Sequence, residues 1–462
     1  MSRVDVLIVG AGPAGMSAAI AARRHRLEVA VVDDQEQPGG QIWRSVEMAA
    51  RRDAILGPSY FEGRPLVNSF RASGATYLPK AQVWKVEPGF RVFLSRDRQA
   101  SVMEATAVLL ATGAQERPAP FPGWTLPGVL TVGAAQILLK NAGQIPSEPV
   151  WIAGCGPLPL LYAVQLLEAG GRIAGYLDTT PSGQWLASAR HLPRALPAAR
   201  EVMKGLGWMR ALRKARVPII TAVTEIEALG EQRVEGLRYR RSDGEWLTAK
   251  AHTVFVHEGV VPSLHIPLSL DCEVAWICAQ ECYAPIVDQW GETSRENLFV
   301  AGDGAGIAGA KAALLRGELA ALRLAEKLGR MDARALAAVA RTVRRKLERE
   351  LSIRPLLDTL FRPRPQVFSP PDETIVCRCE EVTAGQVRAS GAIGRPGPNQ
   401  IKAATRAGMG PCQGRQCGYT VMRILSAMQK RPPSEVGFFH IRPPLKPVTL
   451  GEVASLNETP ES

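Results

Sequence analysis

The chain has 462 residues, of which 46% are hydrophobic and 22% charged, with a mean hydropathy of −0.03, so it is too long for one core and too apolar for wholesale disorder. At ~150 residues per domain, about three domains are expected. Fifty-six Lys and Arg against 44 Asp and Glu give a net charge of +12, which suits anionic ligands or an acidic partner without choosing between them.

The uncharged run Val6 to Ala22 is too short to span a membrane comfortably and contains Gly10, Gly12, Pro13 and Gly15. Arg23-Arg24-His25-Arg26 follows it, where a secretory signal would place its cleavage site. A cytoplasmic protein without a transmembrane segment is expected. Val4 to Val9 reads as an apolar strand, and Gly10-Ala11-Gly12-Pro13-Ala14-Gly15 as a turn opening an Ala-rich helix. Leu27 to Val32 reads as a second strand ending at Asp33. Strand, glycine turn, helix and acidic strand end follow in the order a dinucleotide fold requires. Gly10 permits the tight turn, Gly12 admits a pyrophosphate, Gly15 lets the helix sit close to the sheet, and Asp33 can accept ribose hydroxyls.

Ala107 to Leu110 then forms a strand running into Ala111-Thr112-Gly113, and Pro118, Pro120, Pro122 and Pro127 mark a linker. A second copy of the glycine pattern follows: strand Val150 to Ala153, Gly154-Cys155-Gly156-Pro157-Leu158-Pro159, an apolar helix to Ala169, and a strand ending at Asp178. Pro159 replaces the third glycine, so Gly154, Gly156 and Asp178 define an altered nucleotide site. Asn297 to Ala301 is another strand, before Gly302-Asp303 and a helical stretch from Ala308; Asp303 can hold the ribityl chain and second phosphate of FAD. Apolar Val339, Val343, Leu347 and Leu351 place an amphipathic helix over Asp332 to Ser352. The expected layout is an FAD-binding domain over 1–117 and 290–330, and a second nucleotide-binding-like domain over 118–289. A helical linker over 331–370, a small cysteine-bearing domain over 371–430 and a tail over 431–462 complete it.

Four of the eight cysteines cluster as Cys377-Arg378-Cys379 and Cys412-Gln413-Gly414-Arg415-Gln416-Cys417. Two close thiolate pairs suit a [2Fe-2S] cluster. Zinc modules more often use CxxC pairs, although zinc and unligated thiols remain competing readings. Arg378, Lys402, Arg406 and Arg415 would supply positive charge nearby, and Gly408, Gly410, Gly414 and Gly418 would let backbone N–H groups approach the sulfurs. Cys272, Cys278 and Cys282 read as small buried residues rather than a redox pair. His191, His252, His257 and His265 read as structural or exposed. The basic stretch from Arg190 to Arg216 reads as a solvated helical face, with docking of an acidic partner as the competing reading, and nucleic acid is not expected as a partner because no aromatic interleaving accompanies it.

Ala111-Thr112-Gly113, Phe299-Val300-Ala301-Gly302-Asp303 and Gly39-Gly40-Gln41 resemble the two-dinucleotide-domain flavoproteins of the glutathione and thioredoxin reductase class. The resemblance implies an α/β fold of two Rossmann-like domains, the second inserted in the first, plus a small mainly helical C-terminal [2Fe-2S] domain. It adds Gly40, Gln41, Thr112 and Gly113 to the FAD contacts. With Gly408-Met409-Gly410-Pro411-Cys412 to Gly418, Gly39 to Ile42, His257 to Pro262 and Arg442 to Pro447, nearly the whole chain resembles the alpha (A) subunit of bacterial multi-subunit amine dehydrogenases. These are the opine oxidases, D-hydroxyproline dehydrogenase and hydrogen cyanide synthase. The C-terminal module resembles the BFD-like [2Fe-2S] domain, where the final cysteine pair is usually closer.

That resemblance implies an electron-transfer subunit carrying FAD and a [2Fe-2S] cluster, with Cys377, Cys379, Cys412 and Cys417 as ligands and no protein side chain as catalytic acid or base. A flavoprotein beta subunit like glycine or sarcosine oxidases would oxidise the substrate C–N bond. Peripheral membrane contact and a small ferredoxin-like gamma subunit are compatible with it. The second nucleotide site would hold NAD(P), a structural adenine nucleotide, or nothing. The competing function is a free-standing NAD(P)H-dependent reductase feeding electrons through FAD to the cluster, against which Pro159 counts.

Overall fold

The computed structural model describes residues 3–48, 53–394 and 396–457, so residues 458–462 of the expected tail lie outside it. Strand β1 (Arg3–Val9) runs into the Gly10 turn and α1 (Pro13–Arg24). Pro13 suits the first helical turn because its fixed φ is already helical and its missing N–H would have had no partner. β2 (Val29–Val32) lies parallel to β1, with Val6 opposite Val29. β3 (Gln99–Leu110) has two roles. Its first half pairs antiparallel with Arg91–Arg96 and alternates between buried and exposed positions, while its second half lies parallel to β1 and ends in four buried residues. That change marks the passage from a half-solvated antiparallel arm to a parallel sheet covered on both faces.

β4 (Ala114–Glu116) leaves this sheet toward a second one. There follow α2 (Val132–Ala142), β5 (Val150–Gly154), α3 (Pro157–Glu168) and β6 (Ile173–Asp178), the second copy of the nucleotide pattern. Helices α4 (Gln184–Ala189), α5 (Leu192–Ala195) and α6 (Ala199–Lys214) come next. β7 (Val254–His257) completes a parallel five-stranded sheet ordered Ile219–Ile220, β6, β5, β7, Val129–Thr131. The chain returns through β8 (Val260–Pro262), antiparallel to β4 with Val261 opposite Gln115. β4 and β8 therefore form a two-stranded ribbon between the two sheets.

β9 (Leu298–Val300) rejoins the first sheet beside β3, with Leu298 opposite Val108. α7 (Ala310–Lys327) then packs along α1, both helices presenting mostly alanine to the shared core. A Cβ on Gly317 would lie 2.1 Å from the Ala14 carbonyl oxygen, so only glycine permits this approach. α8 (Ala333–Leu351) is capped by Asp332, whose carboxylate accepts the Ala335 N–H, and buries Leu336, Ala340 and Val343. The short α9 (Arg354–Leu360) follows. The cysteine module contains the hairpin Ile375–Cys377 and Val382–Thr383, then α10 (Ala384–Ala392), Pro398–Thr405 and α11 (Gly418–Gln429).

The segment read as a tail is bonded to the first sheet's antiparallel arm. Leu445 N–H donates to the Trp84 carbonyl, Gln82 Nε2 to the Pro447 carbonyl, and Ala100 N–H to Ser455 Oγ. The first-domain core, Leu7, Val108 and Val300 included, is continuous with that of the cysteine module.

Replacing Gly317 by Val overpacks the α1–α7 contact and should cost about 1–3 kcal/mol. Gly205→Ala, in α6 with open space around its added methyl, should be neutral or slightly stabilising. Thermal unfolding of the two variants tests this, and equal midpoints would contradict the close-approach argument.

Candidate functional site

Five segments converge at the carboxyl ends of β1, β2, β3 and β9. The Gly10 turn is held by Ala111: a Cβ on Gly10 would lie 2.5 Å from the Ala111 carbonyl oxygen, and one on Gly15 would lie 1.9 Å from the Gly10 carbonyl oxygen. Gly39 N–H donates to the Ala11 carbonyl at 2.9 Å, which lays Gly40 on Gly12. Gly304 approaches Gly113, and Gly302 sits against Ala14. Gly10, Gly12, Pro13, Gly40, Thr112, Gly113 and Asp303 remain partly open and Gln41 is exposed, while Ala14 and Gly15 are buried behind them. A partly open glycine turn at a helix N-terminus fits a pyrophosphate.

Asp33 is buried and accepts the Ala11 and Gln35 N–H groups. Burial raises its carboxyl to about 6, with those two bonds opposing the shift. Asp303 Oδ1 accepts the N–H groups of Ala308 at 2.8 Å and Gly309 at 2.9 Å, ordering the approach to α7. The residues present fit FAD: an acidic strand end, an open turn, and a second acid beside it.

The second glycine turn differs. Gly154, Cys155 and Gly156 are all buried. The Cys155 thiol lies 3.9 Å from both the Phe361 carbonyl and Glu258 Oε2, and burial pushes it up, with Glu258 and Asp178 adding to the rise. Arg364 pairs with Glu258 at 2.9 Å and bonds the Thr224 carbonyl. The stretch after α9 thus lies across the turn where a nucleotide phosphate would enter. Asp178 instead accepts the Thr180 N–H at 2.9 Å, and burial raises its carboxyl.

In the C-terminal module Cys377 and Cys417 share a hydrogen bond, as do Cys379 and Cys412. The bond from Cys417 lowers Cys377 to about 6, and the N–H groups of Gly408, Glu380 and Cys379 add to that. Among the described residues no three His, Cys, Asp or Glu side chains converge as a single-ion site. Two thiol pairs suit a two-iron cluster, with two thiolates per iron, better than one tetrahedral zinc. Cys377 and Cys417 are buried, whereas Cys379 is exposed and Cys412 half-buried, so the site has an inner and an outer side.

Of the four glycines expected to admit N–H groups to the sulfurs, Gly408 does so. Gly410 instead makes room for Cys379, whose Cβ would be 2.2 Å from an added methyl; Gly414 and Gly418 make room for Phe439 and Phe438. Arg406 is tied to Glu380 at 2.8 Å on the exposed side, Lys402 lies over the Phe439 ring, and Arg378 is exposed. Half-buried Arg415 donates to the carbonyls of Cys412 and Leu445. The reading of Cys272, Cys278 and Cys282 as buried holds for the first and last. Cys278 is exposed, because it sits in the turn between Val274–Ile277 and Cys282–Pro285.

Sequence reasoning missed the residues that dock this loop. Gln115 Nε2, on β4, donates to the Arg415 carbonyl at 3.0 Å. His265 Nε2 meets the Gln413 carbonyl at 2.9 Å, and burial, with Arg415 beside it, lowers this imidazole to about 4, so it is neutral at pH 7 and donates from that nitrogen. Trp124 Nε1 donates to the Ile375 carbonyl at 2.6 Å. Arg117 is buried and gives its guanidinium to the carbonyls of Glu258, Gln280 and Glu281. His257 Nδ1 pairs with Glu116 at 2.7 Å, and the other Glu116 oxygen accepts the Gly133 N–H at the start of α2. Only the ribbon sequence Ala114 to Glu116, directly after Thr112-Gly113, could have hinted at this.

Residues 4–317 match the pyridine nucleotide-disulphide oxidoreductase family, and residues 375–427 the BFD-like [2Fe-2S] binding domain. The A subunit of opine oxidase from Rhizobium meliloti is 42% identical over 98% of this chain and 88% of its own length. The chain belongs to the family of opine oxidase A subunits. As a member, it is an electron-transfer subunit of a multi-subunit oxidase, an oxidoreductase chain built for FAD and a [2Fe-2S] cluster. Hydrogen cyanide synthase subunit HcnB of Pseudomonas aeruginosa is 30% identical over 97% of this chain and 98% of its own. The fold is shared with L-proline dehydrogenase from P. horikoshii, with a TM-score of 0.72 at 20% identity over 98% of this chain and 80% of that one. Among the described residues no helix is long and apolar enough to cross a membrane.

The Asp33 carboxyl yields a pH prediction. A ribose hydroxyl donating to it favours the ionised form, so cofactor binding lowers its pKa and expels a proton wherever the free chain holds one. Affinity of the FAD-depleted chain for FAD should hold above about pH 6 and fall on acidification, by at most about tenfold per pH unit. Fluorescence titration from pH 5 to 8 checks this; Asp33→Asn should bind more weakly at pH 7 and lose that dependence.

Proposed function

We propose that this chain is the electron-accepting subunit of an assembly that oxidises the C–N bond of an opine or a related amino or imino acid. Oxidation takes place on a separate flavoprotein beta subunit of the glycine or sarcosine oxidase kind, and a small ferredoxin-like gamma subunit completes the assembly. The likeness to the opine oxidase A subunit of Rhizobium meliloti, at 42% identity, supports the substrate class. The 23% identity of the sarcosine oxidase alpha subunit of Rhizobium meliloti, over 97% of this chain and 42% of that subunit, supports a partner of that kind. The eight free cysteines suit a reducing, cytoplasmic location, with electrons passing on to a respiratory acceptor.

One observation carries the electron-transfer reading. Gly113 borders the FAD cradle and Gln115 holds the cysteine loop, and the two are separated by one residue on extended chain, roughly 7 Å along it. FAD and the cluster, when bound, supply the redox chemistry. The residues of the chain do the positioning. In this reading Gly10, Gly12 and Gly15 shape the phosphate turn, Asp33 anchors a ribose, and Asp303 orders the second phosphate region. Cys377, Cys379, Cys412 and Cys417 provide the thiolates. Gln115 and neutral His265 donate to loop carbonyls from the ribbon side, which fixes the loop without adding charge beside it. The covered Gly154-Cys155-Gly156 turn counts against a free-standing NAD(P)H reductase.

Anaerobic mixing separates the two readings. The purified chain should show no flavin bleaching with NADH, and should bleach with octopine or nopaline once the beta subunit is present. Cys379→Ser should leave opine oxidation on the beta subunit intact while onward dye reduction falls at least about tenfold. Rapid bleaching by NADH alone would overturn the proposal.

A further inference from the structure

Helices α4 to α6 carry an outer surface that the fold does not explain. Their inner side is packed: Ala195 and Ala198 cluster with Ile353 and Leu356, and Val202 and Leu357 pack against that cluster. Arg349 Nε bonds the Pro197 carbonyl at 3.0 Å, and Lys311 at the start of α7 pairs with Glu201 at 2.8 Å. The outer side carries Trp185, Leu186, Leu192, Leu196, Met203 and Leu206, each between 49% and 83% exposed. Single exposed apolar residues are ordinary, but six within residues 185–206 on one rigid set of short helices are not.

We infer that this face docks the substrate-oxidising flavoprotein subunit, through an apolar patch on that partner bordered by acidic side chains. The inference rests on the assembly proposed above. Residues 184–216 hold eight Lys and Arg against one acid, Glu201, and that acid is already paired with Lys204 and Lys311. The rim is therefore strongly positive. A second copy of this chain is a poor occupant, because a two-fold contact would bring the same arginines face to face. A lipid surface is also a poor occupant: Arg210 shares the outward stripe of α6 with Met203 and Leu206, seven and four residues before it, so immersing the apolar side chains would bury a guanidinium. Trp, Met and an excess of Arg over Lys are instead the composition of protein–protein contacts. The Lys311–Glu201 pair joins the patch to α7, whose approach is ordered by Asp303, so a partner seated here adjoins the flavin-binding end of the chain.

The test uses the full chain with its FAD and cluster, titrated with the flavoprotein subunit that copurifies with it. Leu186→Glu/Leu206→Glu should weaken binding of that subunit roughly tenfold or more, with flavin and iron content and circular dichroism unchanged. Arg210→Glu/Arg213→Glu, which removes no apolar contact, should chiefly slow association and lessen its salt dependence. Partner affinity within about twofold of wild type in both variants would overturn the docking site while leaving the proposed assembly standing. So would loss of binding to phosphatidylglycerol–phosphatidylcholine vesicles, or of self-association, in a variant that keeps its partner. A wild-type chain that never copurifies with a flavoprotein subunit would overturn both inference and assembly.

Discussion

The structure depends on how the cysteine loop is fastened to the β4–β8 ribbon. Gln115 and His265 each engage one carbonyl of the loop between Cys412 and Cys417, and Arg415 closes it from within by bonding the carbonyls of Cys412 and Leu445. Each such bond contributes only about 1 kcal/mol net. Together with the shared core they make the module part of the body rather than a bead on a linker. Because β4 begins where Thr112-Gly113 ends, the same ribbon borders both the proposed FAD cradle and the cysteine loop. Fixed separation is what a relay requires, and here it comes from covalent continuity over a few residues.

The two glycine turns show how a duplicated pattern diverges by tertiary cover. Both keep strand, turn, proline-started helix and acidic strand end. At the first turn Gly10 and Gly12 stay partly open beside Gly40 and Gly113; at the second the chain after α9 lies over Cys155, held by the buried Arg364–Glu258 pair. Breaking such a pair by removing one partner is costly, because it strands a buried charge. The cover is accordingly a stable part of the fold, and Asp178, bonded to Thr180, is spent on local structure.

Much of this was legible in the sequence because it is local. The β1–α1–β2 unit and the α8 periodicity follow from spacing alone, and the four cysteines stand out as two pairs. What stayed hidden comes from long-range contact. Gln115 lies 300 positions from Arg415, and nothing local distinguishes it from a surface glutamine. His265 reads as any histidine until the loop it meets is in place. The glycines near the cysteines read as N–H donors, yet Gly410, Gly414 and Gly418 are there because Cys379, Phe439 and Phe438 need the room. The arginines of residues 190–216 read as a solvated face and are exposed, but the sequence does not show which apolar side chains are exposed beside them.

The central claim is that one rigid chain holds FAD and a [2Fe-2S] cluster side by side across the ribbon. Electron paramagnetic resonance of the partially reduced chain, prepared anaerobically with iron, sulfide and flavin quantified, tests it most directly. The account predicts two irons and two sulfides per FAD, and a cluster signal broadened or split by the neighbouring flavin, with the interaction weakened in Gln115→Leu. Zinc in place of iron, or two signals that superimpose without any mutual effect, would contradict it.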